Sequence, residues 1–400
     1  MPVFTLGDFA IILLGLSLLK INLLKKYKRG YLFSIGLMSC LFIFNLLLHS
    51  SLISIFGALR LYGSLVVLCL LVGRIDLEFS NITDKKHLLN KLAVLKKLTP
   101  YLLLIVGLQI GIGTLQVYKG SDLGLQFLGE TEIVLGRIGS SFIDTGTDLI
   151  MRAYGTFQHP NLLAGFLILC SIYFYFLHRF NSLNVKPLLI IQAFLMYGIS
   201  ITFARTALFL FILNFLIYFW PNILKTVKRL LKFPKSHFAL FPIYWLDRIR
   251  SLFADSAYFE RKELLKGAIE LIKSNLLTGV GIGEYVRAAI KYPVSNSAGI
   301  LLLQPVHNLF YLTIAEQGSL AGGALLIWLS LGLFNYLLEA KDKRISLMVI
   351  ITIALIGSVD HYLISLPAGQ LILLTLLVIA ALSPMFETAL AKSPLKIQPA

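Results

Sequence analysis

Ten stretches of almost uninterrupted apolar residues set the first constraint on this chain: 5–24, 31–48, 52–73, 100–118, 161–178, 187–203, 206–220, 319–338, 345–359 and 362–382. Most have the roughly 17–25 residues that a helix needs to cross the hydrocarbon core of a bilayer. Inside a membrane every backbone polar group must be satisfied within the protein, and uniform runs of this length do so as helices. The composition agrees. Hydrophobic residues make up 57% of the 400 residues and charged residues 14%, against about 25% charged in soluble domains. Cys40, Cys69 and Cys170 all lie inside apolar runs, where they read as packing residues rather than disulfide partners. The expected fold is all-α and polytopic.

A net charge of +16, from 36 Lys+Arg against 20 Asp+Glu, would suggest nucleic acid in a soluble protein. Beside membrane spans it has a simpler origin, because Lys and Arg collect in cytoplasmic connections. No nucleic-acid partner is expected. The first apolar run is followed, not preceded, by Lys25, Lys26, Lys28 and Arg29, so it reads as a retained span and not a cleaved signal. The basic connections 25–29, 74–99 and 221–236, together with Arg179, Lys186, Lys341, Lys343, Arg344, Lys392 and Lys396, place 22 of the 36 cations on one side.

Counts from the two termini agree only if the chain crosses once more near 237–246, a short run interrupted by Pro242. The expectation is therefore about eleven spans, ten to twelve allowed. Residues 1–118 form the N-terminal helices, with 74–99 as an amphipathic segment on the inner leaflet or a solvated loop. Segments 119–160 and 247–308 are extracytoplasmic loops, 161–246 central helices, and 309–400 C-terminal helices and a cytoplasmic tail. Loops as long as these two are where function concentrates.

Certain polar residues stand out against the apolar background. Arg205 follows Thr202-Phe203-Ala204 between two apolar runs, with no acidic residue near it in sequence. It either snorkels to the interface or faces a polar cavity and holds an anion. Arg60 carries the same ambiguity. In 257–275 Leu264, Leu265, Ala268, Leu271 and Ile272 recur at helical spacing, and the spacing puts Arg261 on that apolar stripe. There it either forms a structural ion pair or holds an anion. His307, in Gln304-Pro305-Val306-His307-Asn308 at the mouth of a span, is either a packing residue or a proton acceptor. His159 reads as a turn organiser, with Pro160 and Asn161 opening the next helix. Gly279-Val280-Gly281-Ile282-Gly283 lacks the strand and spacing of a dinucleotide loop and reads as a loop needing positive φ or close backbone approach. Asp144 and Asp148, four apart on a possible helix, are the only acidic pair that suggests a cation, and no Cys/His cluster supports a metal site.

Taken in order, these pieces resemble the O-antigen ligase and O-antigen polymerase superfamily of bacterial membrane glycosyltransferases. Arg152-Ala153-Tyr154-Gly155-Thr156-Phe157 and His159-Pro160-Asn161-Leu162-Leu163-Ala164 are similar to its "R…GTF…HPN…A" approach to a central span. Thr202 through Ala207 is similar to its "SR" segment. Arg261 through Gly283 follows an arginine-led helix and "PLxGxGxG", with Leu277-Thr278 in place of proline-leucine. His307 followed by Gly318 matches H-x10-G, and Asp360-His361-Tyr362 resembles a late "DHY". Phenylalanine at 209 and leucine at 265, where ligases often carry leucine and tryptophan, are departures. The resemblance spans about 210 residues.

The resemblance implies a fold like the multi-span GT-C glycosyltransferases in the bacterial cytoplasmic membrane, with the site on the outer face. It implies a polyprenyl-diphosphate-linked glycan as donor and a glycan, lipid or protein as acceptor. Arg205 and Arg261, assisted by Arg152, would bind the diphosphate, since guanidinium offers bidentate donors to phosphate oxygens. His307 would be the base, and Pro160, Asn161, Gly318 and Asp360 would be structural motif positions. No metal or cofactor is expected, because the arginines neutralise the leaving group. A ligase is favoured over a polymerase by the H-x10-G spacing. A transporter of an anionic or lipid-linked solute remains the alternative of another class, although no internal repeat is visible.

Overall fold

A computed structural model describes residues 8, 15, 28–80, 85–133, 141–144, 149–180, 182–230, 256–296 and 299–392. Thirteen helices are described here: α1 (Arg29–Leu48), α2 (Leu52–Ser80), α3 (Lys85–Lys119), α4 (Pro160–Arg179), α5 (Val185–Ile201), α6 (Arg205–Leu230), α7 (Ser256–Ser274), α8 (Tyr285–Ala289), α9 (Leu309–Gln317), α10 (Gly323–Glu339), α11 (Arg344–Val359), α12 (Tyr362–Ser365) and α13 (Pro367–Lys392). Among the described residues six helical rods are long and apolar enough to cross a membrane. They are α1, α2, α3, α4, the α9–α10 rod and α13. The chain is thus a predominantly helical membrane protein. The runs at 5–24 and 237–246 lie outside the described residues, apart from Asp8 and Gly15.

The helix α4 is the axis of the bundle. Leu162, Leu163, Ala164, Leu167, Ile168, Ile172, Phe174 and Tyr175 are buried all around it, as expected of a helix apolar on every face and enclosed by others. It packs against α5, α6, α11 and α13. The outer helices α1 and α3 bury little and present Phe33, Leu47, Leu104, Leu108 and Leu115 outward. In a bilayer such a surface faces lipid rather than water.

Sequence expectations are corrected at particular points. The segment 74–99 is not a separate amphipathic helix: 74–80 continues α2, and 85–99 runs on into the membrane as the start of α3, through Pro100. The C-terminal helices begin at Leu309, and a π-helical stretch, Gly318–Gly322, joins 309–317 to α10. The last long helix starts at Pro367, because Leu366, the residue before the proline, is extended and separates it from the short α12. The fold is also not purely α. An antiparallel strand pair, β1 (Phe142–Asp144) with β2 (Leu149–Met151), lies in the 119–160 loop and puts Asp144 on a strand; Asp148 lies outside the described residues.

The Gly279–Gly283 loop is a clasp. The N–H groups of Val280 and Gly281 donate to the carbonyls of Ala315 (3.0 Å) and Glu316 (2.8 Å), and Ser319 donates to Leu276 (2.7 Å). Gly318 has φ +72°, and a Cβ on it would stand 2.2 Å from the Leu277 carbonyl. A Cβ on Gly279 would stand 2.4 Å from that of Glu316. Only glycine allows the two backbones so close. Because α7 also packs on α9 through Ala268, Leu271, Leu312 and Ala315, the clasp fixes where Arg261 lies relative to His307. Gly318→Ala is expected to cost about 3 kcal/mol or more, read as a lower melting temperature in detergent. Gly332→Ala, with open space around it, should leave the melting temperature unchanged.

Candidate functional site

The site residues gather where several helix ends meet at one end of the bundle. His159 caps α4: its Nδ1 accepts the Asn161 N–H at 3.1 Å, and Pro160 takes the first helical position, where no N–H is needed. The cap holds Asn161 in place to bridge two charges. Its Oδ1 accepts from Arg152 (2.7 Å), and its Nδ2 donates to Asp360 Oδ2 (2.8 Å). Asp360 ends α11 in extended conformation, buried, and its Oδ1 accepts the His361 N–H at 2.8 Å. Asn308 caps α9 and ties it to α11 by donating to the Ser358 carbonyl at 3.0 Å.

This scaffold brings His307 to the carboxylate. His307 Nδ1 stands 3.9 Å from Asp360 Oδ1 and is buried without a hydrogen-bond partner. The His307 and His361 rings lie 5.6 Å apart, centroid to centroid. His361 Nδ1 is 2.6 Å from Ser365 Oγ, which donates in turn to the His361 carbonyl. The coordinating atoms of His307, Asp360 and His361 all fall within 4.8 Å of one another, so these three are the described residues able to hold a metal.

Arg152 is a framework residue. Its Nε donates to Thr202 (2.7 Å), Nη1 to Ser141 (2.9 Å) and Nη2 to Asn161, which consumes all three nitrogens. The Thr202 carbonyl belongs to the turn that opens α6, where Phe203 takes a left-handed φ of +52°. Arg205 follows as the first residue of α6, exposed. Arg261 departs from its expected place: Leu264, Ala268 and Leu271 are buried, but Arg261 shares their face one turn earlier and is exposed, because the covering surface reaches only to Leu264. Arg60 makes a bidentate pair with Asp8 at 2.7 and 2.9 Å, a structural ion pair.

Arg205 and Arg261 lie close enough to act on Arg152 electrostatically. Burial first, then the charges of Arg261 and Arg205, lower the Arg152 guanidinium to about 10 against the pull of Tyr154 and Asp360. Burial favours a neutral Asp360, but His307, His361 and the Asn161 amide outweigh it and hold the carboxyl well below the usual carboxylate range. Burial brings both His159 and His361 down to about 4, with Asp360 opposing. The result is an ionised Asp360 near the neutral imidazoles of His159 and His361, with the Arg152 guanidinium beside them. A cavity of about 510 Å³ beside the clasp, lined by His49, Asn275, Lys291 and Tyr292, includes none of these residues.

Sequence reasoning places Arg152, Asn161, Arg205, Arg261, His307 and Asp360 as pieces of separate motifs; the fold joins Arg152, Asn161, Asp360 and His307, with Arg205 and Arg261 acting on Arg152 by their charge. It misses Ser141, Thr202 and Ser365, which bear no sequence signal beyond being short polar residues. It also misses the role of Asp360 as the partner of His307. No protein-family model and no curated protein matches this chain.

Proposed function

We propose that this protein is a metal-independent membrane glycosyltransferase, ligase-like, that moves a glycan from a polyprenyl diphosphate to an acceptor hydroxyl or amide. The observation that carries the reading is the convergence of Arg205, Arg261 and the fixed Arg152 beside a histidine–carboxylate pair at one end of a membrane bundle. The two exposed arginines clamp the diphosphate, while Arg152 supplies a fixed positive field through its hydrogen-bonded frame. The acceptor oxygen attacks the anomeric carbon as the bond to the diphosphate oxygen breaks, and polyprenyl diphosphate leaves with that electron pair. His307 takes the acceptor proton on Nε2. Asp360, 3.9 Å from Nδ1, stabilises the imidazolium that forms, as carboxylates do in histidine–carboxylate pairs.

The same reading sets the site on the outer face of the bacterial cytoplasmic membrane, in a GT-C-like bundle of about eleven spans. Helix ends support it. Lys28 pairs with Asp76, and Arg179 with Asp342 and Glu387, at the end opposite the site. Arg344 reaches the Tyr218 carbonyl there, so α6 has left the site end by Tyr218. The helix α7 lies back at the site end, as a chain of about eleven spans requires; residues 231–255, with the 237–246 run, lie outside the described residues. Single cysteines at Lys291 are expected to react with an impermeant thiol reagent added outside intact cells, and cysteines at Lys97 and Lys341 only after permeabilisation. The opposite pattern would invert the topology and remove the catalytic reading. The activity itself is tested with purified protein and lipid-linked donor, scoring released polyprenyl diphosphate with and without acceptor. Export of donor without release would favour a transporter.

A further inference from the structure

The trio His307, Asp360 and His361 does more than a base and its partner require. His361 has no part in the proton transfer, yet its ring is fixed. Ser365 Oγ donates to the His361 carbonyl at 3.0 Å and so accepts from Nδ1–H at 2.6 Å, which leaves the Nε2 lone pair for a ligand. A histidine whose second nitrogen is tied to an oxygen is the usual arrangement around a bound metal. Asp360 is oriented in the same way, by the Asn161 amide on Oδ2 and the His361 N–H on Oδ1. The third donor, His307 Nδ1, is buried without a hydrogen bond. Two imidazoles and one carboxylate are a donor set for zinc-class divalent cations. Tetrahedral zinc wants its ligand atoms about 3.3 Å apart. The ligand atoms now lie within 4.8 Å of one another, and a bound cation would draw them closer.

We propose that His307, Asp360 and His361 form an inhibitory site for a zinc-class divalent cation, whose binding switches off the base. The switch follows from the tautomers of imidazole. A neutral ring has one proton, and His307 can accept a second at Nε2 only while the first sits on Nδ1, facing Asp360. A cation on Nδ1 takes that lone pair and leaves the proton on Nε2, where no basic pair remains. The cation also claims the carboxylate that would stabilise the imidazolium. The diphosphate clamp of Arg205 and Arg261 is untouched, so donor binding persists in the inhibited protein.

The inhibitory half rests on the proposed transfer reaction, whereas the cation site stands by itself, and the experiment separates them. Untagged, chelator-stripped protein in detergent is titrated with Co²⁺, read by its visible absorption, and with Zn²⁺ by calorimetry. The expected result is one cation per chain, with affinity at least tenfold weaker in His361→Gln and in Asp360→Asn and unchanged in His49→Gln. No stoichiometric binding, or equal binding by the His361 and Asp360 variants, overturns the site. In the transfer assay Zn²⁺ should stop release of polyprenyl diphosphate, a chelator should restore it, and donor affinity should not change. Zinc that binds at this site without slowing transfer overturns the switch alone. Absence of transfer from the metal-free protein overturns the glycosyltransferase reading and the switch with it, while the Co²⁺ titration still decides the site.

Discussion

His307→Ala is expected to lower glycan transfer by about 10²–10⁴, the usual contribution of a general base, while donor affinity stays close to that of the parent protein. The separation follows from the division of labour at the site. The diphosphate is met by Arg205 and Arg261, and the imidazole meets only the acceptor. A group that acts in the transition state lowers turnover without loosening the ground-state complex. Asp360→Asn should show a milder form of the same pattern, because an amide fills the space but cannot stabilise an imidazolium. Release assays and donor-binding measurements on the same preparations distinguish the two effects. Near-normal release by the His307 variant with acceptor present would remove it as the base and leave another loop residue or the substrate itself to take the proton.

Arg205→Ala and Arg261→Ala are each expected to leave the protein folded in the membrane and nearly inactive. Both side chains are exposed at the mouth of the site, so truncation leaves no cavity. Each removes a positive charge that the leaving diphosphate needs. Lysine at either position should restore little, since a point charge cannot reproduce a planar, two-pronged donor. The contrast is with neighbours on α7 that bear the same charge but face away: Lys262→Ala and Lys273→Ala, the latter paired with Glu270 at 2.8 Å, should transfer glycan normally. Arg152→Ala should behave differently again. It breaks hydrogen bonds to Thr202, Ser141 and Asn161, so it should reduce the amount of folded protein as well as activity. If both the Arg205 and Arg261 alanine variants transferred glycan at the parent rate, the diphosphate clamp would be wrong.

The sequence by itself determined that this chain is a helical membrane protein, because a run of apolar residues as long as a bilayer is thick has one economical solution. It also determined which of its polar residues are conspicuous, since Arg205 and His307 stand out only against so apolar a background. Helix ends were legible where local chemistry writes them. Pro160 and Asn161 opened α4 as expected, and Gly318 proved to sit where no side chain fits. What local chemistry does not encode is who faces whom. Asp360 lies 53 residues from His307 and 199 from Asn161, and only the packing of α4, α9 and α11 brings the three together. The same limit misplaced Arg261, whose helical periodicity fixes a face but not how far a neighbour covers it. The glycines of 279–283 announced positive φ or close backbone approach, but not that the segment approached is 315–319, because that belongs to a pair of segments and is visible in neither alone.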